Sequence, residues 1–208
     1  MNFIYENNNS ICHELCKDII EMYENEDEDQ KRDSIVGVGN DYKFIINKNV
    51  RDTKQFAIPK DNIKWCKIEE FLIKELHYNF SKYIEQINCS NYKPELNNNI
   101  DSSIFKNTVF KNFSFFINFY EKNKGKYIYH NDFSISTNPI NYRVVSFIWY
   151  LNSVDEGGET EFWDSYKIKP ITGKLVLFPS NWCFQHRGLM PISDNKYIIT
   201  GWIYARGT

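Results

Sequence analysis

Apolar residues recur at helical spacing in two segments of the N-terminal half of the chain. The first segment predicts an amphipathic helix over about residues 10–24, with Ser10 as its N-cap. The second predicts a longer helix that follows Asp61 and runs to about Ile87. Between them, a run of charged residues predicts a solvated loop, and residues 35–60 are predicted to be extended but irregular.

From residue 109 onwards, the apolar positions repeat every two residues, which is typical of β-strands. The alternation is clearest from Phe113 to Phe119. Because no helical pattern lies between the strands, they are expected to form an antiparallel sandwich or barrel, with the earlier helices packed outside it. Further strands, separated by Gly, Pro or Asn turn signals, are predicted at 126–133, 143–151, 160–163, 166–169, 174–178 and 195–204.

These elements predict an α+β, mainly β fold in a single domain of residues 1–208. Residues 1–108 would form a helical N-terminal support region, and residues 109–208 would form the β-rich core. A chain of 208 residues, 42% hydrophobic and 17% aromatic, is long enough to bury one sizeable core.

Charge, hydropathy and cysteine content indicate which partners and which cellular compartment to expect. The net charge is −2 and the basic residues are scattered, so no nucleic-acid partner is expected. No apolar run suggests a membrane helix, and the N-terminus lacks the pattern of a secretory signal. Five cysteines without paired zinc-ligand spacing indicate a reducing compartment, and Cys12 and Cys16 are interpreted as ordinary helix residues. We therefore expect a cytoplasmic location, which is the host cytoplasm if the protein is viral.

Two histidines and one aspartate carry the strongest chemical signal. His130 and Asp132 are two residues apart on a predicted strand, so they point to the same face. His186 follows a later strand and a turn. Two histidines and one carboxylate form the facial arrangement that non-haem iron(II) oxygenases use. The alternative is structural, with His130 at the surface and Asp132 capping a turn.

A lysine on the last predicted strand adds a second signal. Strand alternation places Lys196, Ile198, Thr200 and Trp202 on one face. A lysine that faces a barrel interior is costly unless an anion pairs with it, and the distal carboxylate of 2-oxoglutarate is such an anion. The alternative is a lysine at the end of the strand that reaches solvent.

The region from about residue 113 to 204 resembles the prolyl 4-hydroxylase-like branch of the iron(II)/2-oxoglutarate dioxygenases. It is most similar to the small stand-alone members that are common in phage and large-virus genomes. The matching stretches occur in order, at 119–120 (FY), 125–132 (GKYIYHND), 149–152 (WYLN), 156–162 (EGGETEF), 170–173 (PITG), 177–179 (LFP) and 186–202.

The resemblance implies a double-stranded β-helix, or jelly-roll, core with N-terminal helices packed outside. It implies that His130, Asp132 and His186 ligate iron(II) and that Lys196 binds the distal carboxylate of 2-oxoglutarate. Oxygen is the second cosubstrate, and ascorbate is a candidate additional cofactor. The further positions that the resemblance assigns to cosubstrate contact are Tyr120, Tyr150, Thr200 and Trp202. Either tyrosine could instead belong to the core.

The function that follows is hydroxylation of an unactivated carbon, with release of succinate and carbon dioxide. Asp132 favours hydroxylation over halide transfer, because halide-transferring relatives lack a carboxylate at that position. The predicted substrate is a prolyl residue in a protein or peptide, and lysyl residues and small molecules are also compatible with the resemblance. Two competing hypotheses place the chain outside this enzyme class: a non-catalytic metal-binding jelly-roll, and a cupin-like enzyme that uses no ketoacid.

Four smaller predictions concern surrounding residues. The Gly157-Gly158 turn is interpreted as structural, with Glu159 and Glu161 solvated. Arg143 is expected to pair with a surface acid. Residues 35–60 and 134–142 are candidates for contacting substrate, because they flank strands as irregular segments. Trp163 and Trp182 are candidates for the mouth of the site.

Overall fold

A computed structural model describes residues 3–38, 43–60, 62–89, 114–137 and 140–206. Both predicted helices are present, α1 at His13–Glu24 and α2 at Ile63–Cys89. Within the described residues, no helix is long and apolar enough to cross a membrane. The Asn- and Ser-rich residues 88–108, whose composition predicts a loop, lie almost wholly outside the described residues. Phe113 and the Asn138-Pro139 dipeptide, which predicts a turn, lie outside them entirely.

The start of the first helix differs from the prediction. Cys12, not Ser10, is the N-cap of α1, and it makes no side-chain capping bond. Ser10 is buried, and its hydroxyl donates to Glu75 (2.8 Å) and accepts from the indole of Trp149 (3.0 Å). The hydroxyl therefore links α2 to the β-sheet. Sequence could not show this, because these partners lie 65 and 139 residues away.

Fifteen strands are present among the described residues, and the strand pairs that they form are antiparallel. The larger sheet consists of Tyr5–Asn7 (β1), Arg32–Asp33 (β2), Lys54–Ala57 (β6), Phe116–Tyr120 (β7), Ile135–Thr137 (β9), Ile140–Tyr150 (β10), Leu175–Pro179 (β13) and Lys196–Arg206 (β15). The smaller sheet consists of Arg51–Asp52 (β5), Lys126–His130 (β8), Thr160–Phe162 (β11), Tyr166–Ile168 (β12) and His186–Gly188 (β14). Ile35–Val38 (β3) and Lys43–Ile46 (β4) form a separate hairpin.

The strand order is β1-β13-β10-β15-β7-β6-β2 in the larger sheet, with β9 paired to β10, and β12-β11-β14-β8-β5 in the smaller one. The strands predicted after residue 109 are present with small shifts of their ends. The irregular structure predicted for residues 35–60 is wrong, because this segment forms strands β3 to β6. The short strand β14 was not predicted, because three residues are too few to show alternation.

Alternation along β10 separates two cores. Phe147 and Trp149 face the helices, whereas Ile148 and Tyr150 face the smaller sheet. The first core packs α1 and α2 against the outside of the larger sheet. The second core, which includes Phe162, fills the space between the two sheets. The mainly β jelly-roll with helices packed outside is thus confirmed.

Candidate functional site

The structure brings His130, Asp132 and His186 together at one end of the space between the sheets. His130 ends β8, His186 begins β14, and the two are directly paired across these strands. Their ligand atoms and those of Asp132 all lie within 4.8 Å of one another. Each histidine Nε2 lies 3.7 or 3.8 Å from an oxygen of Asp132, which is too long for a hydrogen bond and leaves room for an ion.

Both imidazoles are held with Nε2 towards the carboxylate. Nδ1 of His130 lies 2.9 Å from the carbonyl oxygen of Ile128, and Nδ1 of His186 lies 3.0 Å from that of Phe184. A carbonyl only accepts, so Nδ1 carries the proton and the lone pair of Nε2 is free for a metal. Burial, together with the neighbouring His186, lowers the pKa of His130 to about 3 and keeps its imidazole neutral.

Asp132 is held ionised and oriented by its neighbours. Its Oδ2 accepts a hydrogen bond from the Ser146 hydroxyl (2.7 Å), which lies 2.8 Å from the Ser180 hydroxyl. Burial opposes ionisation, but His186, His130 and Ser146 outweigh it and lower the pKa of Asp132. Ser146 was not predicted from the sequence, although a serine within the apolar run of β10 is a signal that could have indicated it.

Lys196 lies inside the fold with no carboxylate against it. Its side chain is 1% exposed, and Nζ donates to the carbonyl oxygen of Gly158 (2.8 Å) and lies 4.0 Å from the centroid of the Tyr120 ring. No carboxylate among the described residues forms an ion pair with it. Burial, which Glu159 offsets only in part, lowers the pKa of Lys196 to about 7. The competing prediction, a lysine that reaches solvent, is therefore wrong.

The other four predicted contact residues line the same interior. Tyr120 lies opposite Lys196 across β7 and β15, and burial raises the pKa of its phenol to about 12. The Tyr150 hydroxyl donates to Thr160 (2.6 Å), and the Thr200 hydroxyl donates to the carbonyl oxygen of Phe147 (2.9 Å).

Trp202 lies opposite Ser146 across β10 and β15 and therefore faces the metal ligands. Its buried indole N–H lies near the Asp132 carboxylate, whose pKa it helps to lower, but it makes no well-formed hydrogen bond among the described residues. The guanidinium of Arg143 lies 3.5 Å from the centroid of the Trp202 ring. Arg143 was predicted to pair with a surface acid, but it forms no ion pair with any of the described residues, so that prediction is wrong for this part of the chain.

A second polar group near the site was not anticipated. The guanidinium of Arg51 donates to Oδ1 of Asn118 (2.8 Å) and lies 4.8 Å from the centroid of the Tyr127 ring. Tyr127 in turn stacks on the His130 imidazole, with ring centroids 3.5 Å apart. No sequence signal indicated Arg51, because its segment showed no regular pattern.

The residues present fit an oxygen-rich anion beside a metal ion. Among the described residues, Asn118 Nδ2 is a buried donor without an acceptor, Trp202 Nε1 lies near Asp132 without a well-formed hydrogen bond, and the buried Lys196 forms no ion pair. Buried donors without acceptors are rare in folded proteins, because leaving them unpaired costs free energy. A dicarboxylate between the sheets would supply acceptors for these donors, and two imidazole Nε2 atoms with the ionised Asp132 are a donor set suited to iron(II).

The Gly157-Gly158 turn is structural, as predicted. Both glycines have positive φ angles, 73° and 74°, which favour residues without a Cβ atom. The turn also presents the carbonyl oxygen that Lys196 contacts. The prediction that Glu161 is solvated is wrong, because its side chain is only 1% exposed.

Comparison with known proteins assigns this arrangement to a class. Residues 115–204 match the family model described as the 2OG-Fe(II) oxygenase superfamily. All three predicted metal ligands and Lys196 lie within the matched residues. A comparison with curated proteins gave no match.

Several solved structures share the fold. A prolyl-4-hydroxylase from Pseudomonas putida is 16% identical with a TM-score of 0.65, and the match covers 100% of this chain and 95% of that one. The viral collagen prolyl hydroxylase of Paramecium Bursaria Chlorella virus-1, in complex with 2OG, is 17% identical with a TM-score of 0.62, covering 98% and 97%. A Trichoplax adhaerens prolyl hydroxylase, in complex with a hypoxia inducible factor oxygen degradation domain peptide fragment, is 18% identical with a TM-score of 0.64, covering 99% and 84%.

The fold and the site define a dioxygenase that depends on iron(II) and 2-oxoglutarate and uses oxygen. Residues 115–204 match the 2OG-Fe(II) oxygenase superfamily, and the chain shares the jelly-roll fold of the solved prolyl hydroxylases.

Proposed function

We propose that this chain is a hydroxylase in which His130, Asp132 and His186 hold iron(II) and Lys196 anchors 2-oxoglutarate. The observation that carries the proposal is the cluster itself: two imidazoles present Nε2 to one ionised carboxylate, inside the residues that match the oxygenase family. We also propose that residues 1–208 work as one domain, because strands before residue 60 belong to both sheets.

The residues that line the space between the sheets would bind different parts of 2-oxoglutarate. Lys196 would bind the distal carboxylate of 2-oxoglutarate, and Tyr120 would fix the position of the ammonium group through the contact with its ring. Tyr150 can donate to the same carboxylate only by exchanging its bond to Thr160. Thr200 already donates to a backbone carbonyl, so its methyl group is the part that would line the pocket.

The indole N–H of Trp202, which lies near Asp132, would supply a donor nearer the metal. When bound, iron(II) would supply oxygen activation coupled to the conversion of 2-oxoglutarate into succinate and carbon dioxide. The apolar second core keeps water out of the space between the sheets. If Asp132 binds the metal, its carboxylate would take the position that halide transfer needs, which supports hydroxylation.

The proposed substrate is a prolyl residue in a protein or peptide. The support is the shared fold of three prolyl hydroxylase structures, one of which contains a peptide. Lysyl residues and small molecules are the competing substrate classes. We propose ascorbate as a reductant that sustains turnover, and a cytoplasmic location in keeping with the free thiols of Cys12, Cys16, Cys66 and Cys183.

The hairpin of β3 and β4 is a candidate substrate-contacting surface, in keeping with the prediction for residues 35–60. It exposes Phe44 and Ile46, which are 67% and 57% exposed, next to Ile35 and Ile45. Apolar side chains grouped at the surface are typical of interaction sites. The strand β5 that follows the hairpin pairs with β8, which carries His130.

The test is an anaerobic titration of the metal-free protein with iron(II) and then 2-oxoglutarate. We expect the charge-transfer absorption of a chelated ketoacid, weakened in Lys196→Ala and unchanged in Lys169→Ala, which removes an exposed lysine. Succinate release is then compared between a proline-containing peptide and the same peptide with alanine at that position. Iron binding without the absorption band would favour the non-catalytic or cupin-like hypothesis, and equal turnover of the two peptides would exclude the prolyl substrate.

A further inference from the structure

A buried carboxylate lies on the opposite face of the smaller sheet from the metal ligands. Glu161 is only 1% exposed, yet it carries three polar partners. Its Oε1 accepts from the Tyr129 hydroxyl (2.7 Å) and pairs with Arg187 Nη2, and its Oε2 pairs with Lys167 Nζ (3.3 Å). The partners come from three different strands, β8, β14 and β12.

Two of these partners are chain neighbours of the histidines. Tyr129 directly precedes His130, and Arg187 directly follows His186. Adjacent strand residues point to opposite faces, so each histidine faces the metal while its neighbour faces Glu161. Glu161 lies opposite Arg187, just as Phe162 lies opposite His186. One carboxylate thus connects the two strands that carry the histidines.

The backbone alone holds these two strands weakly. β14 has three residues, and it pairs with β8 at only two positions, with a register irregularity between them. A short, irregular ladder leaves the relative position of two strands poorly specified. A side chain that binds both strands therefore supplies a constraint that the ladder lacks.

The turn after β11 adds to the same cluster. The backbone N–H of Asp164 donates to the Tyr129 hydroxyl (2.6 Å), and its carboxylate accepts from Arg187 (3.0 Å). The guanidinium of Arg187 also lies 4.7 Å from the centroid of the Tyr129 ring. Trp163 and Asp164 have left-handed φ angles of 53° and 56°, a conformation that costs free energy in residues with a Cβ atom. Contacts from β8 and β14 hold this turn in place.

We infer that Glu161 is a positioning residue for the metal centre, acting through Tyr129 on His130 and through Arg187 on His186. A buried carboxylate with charged partners is costly to leave half-paired, so it favours the one register in which both strands meet it. That register sets the separation of the two Nε2 atoms and therefore the affinity for the metal. The inference rests on the proposed role of the two histidines as iron ligands.

The test measures manganese(II) binding to the metal-free full-length protein by electron paramagnetic resonance. Glu161→Gln removes the charge and Tyr129→Phe removes a single oxygen, and we expect each to weaken binding by about 10- to 100-fold, the effect typical of residues that orient metal ligands. Lys167→Ala is the matched control, because it removes a partner of the same carboxylate from β12, which carries no histidine. We expect it to leave the affinity within about twofold of wild type.

Cobalt(II) absorption spectra distinguish positioning from general destabilisation. We expect the d–d bands to shift in Tyr129→Phe and Glu161→Gln at temperatures well below their melting points, and to stay unchanged in Lys167→Ala. Wild-type manganese(II) affinity in both Glu161→Gln and Tyr129→Phe would overturn the inference, although the proposed metal site would stand. The inference would also be overturned if Lys167→Ala weakened manganese(II) binding as much as those two variants do. Failure of the wild-type protein to bind manganese(II) would instead overturn the proposed function, and this inference with it.

Discussion

The two sheets of the fold are built in different ways. The larger sheet contains two strands of 11 residues, β10 and β15, which pair along almost their full length. The smaller sheet contains strands of two to five residues, and its ladder is irregular where the histidines lie. The larger sheet is stabilised by its ladder and by packing against the helices, whereas the smaller sheet depends more on particular side chains.

The difference matches what each sheet contributes to the site. The larger sheet presents Lys196, Tyr120, Tyr150, Thr200 and Trp202, residues proposed to bind the cosubstrate. The smaller sheet presents both histidines. In the larger sheet, the buried Lys196 has only the Gly158 carbonyl oxygen as a hydrogen-bond acceptor, so its charged form is costly until an anion binds. A short-stranded sheet can hold metal ligands only if further polar contacts orient them.

The largest expected effect comes from removing a ligand at the smaller sheet. Asp132→Ala should abolish manganese(II) and iron(II) binding together with turnover, because the carboxylate is the only anionic member of the cluster. Isothermal titration calorimetry checks binding, and circular dichroism checks that the fold is retained. Retained turnover in a folded Asp132→Ala protein would show that the ligand assignment is wrong.

The larger sheet should respond to a core deletion in stability, not in metal affinity. Phe147 is fully buried between the sheet and the helices, so Phe147→Ala should lower the free energy of unfolding by about 3–5 kcal/mol. Urea denaturation measures this loss. At low temperature, where the variant is folded, its affinity for manganese(II) should stay near that of wild type. If the free energy of manganese(II) binding fell as much as the free energy of unfolding, packing of the larger sheet would also control the metal site.

Ser146 tests whether the larger sheet also orients a metal ligand. Its hydroxyl is the donor to Asp132, so Ser146→Ala should weaken metal binding by about 10-fold, at the lower end for a residue that orients a ligand. Ser146→Thr keeps a hydroxyl and serves as the matched control. If Ser146→Ala binds the metal as tightly as wild type, only contacts in the smaller sheet orient the metal ligands.

The last expected effect, which is graded with pH, is on cosubstrate binding. Burial lowers the pKa of Lys196 to about 7, so the ligand-free lysine is charged below pH 7 and neutral above it. A carboxylate needs the charged form, so affinity for 2-oxoglutarate should be constant below pH 7. Above it, affinity should fall by about tenfold per pH unit until the pKa of the bound state is reached.

Calorimetry at pH 8 in buffers of different ionisation enthalpy measures the linked proton. The wild-type protein should take up about one proton when 2-oxoglutarate binds. Lys196→Ala lacks the titrating amine and should take up none. Proton uptake that persists in Lys196→Ala would assign the titration to another group.

Local spacing in the sequence predicted much of the fold and the centre of the site. The period of apolar residues indicated both helices and the strands after residue 109, because each period repeats over several turns or residues. The two-residue spacing of His130 and Asp132 placed them on one face, and the alternation of β15 placed Lys196 inside. Ser10 was misassigned because its hydroxyl binds groups far along the chain.

The sequence by itself determined which residues could act as ligands, and it placed His130, Asp132 and Lys196 on particular faces of their predicted strands, because those properties depend on residue type and on local periodicity. Only the tertiary structure decided that Glu161 is buried, that Arg143 stacks on Trp202 and that Arg51 lies beside the site. These contacts include Arg187 for Glu161, Trp202 for Arg143 and Asn118 for Arg51, which are 26, 59 and 67 residues away, and no local pattern specifies which distant groups meet. The identity of the metal ligands was therefore local information, whereas their support was a product of folding.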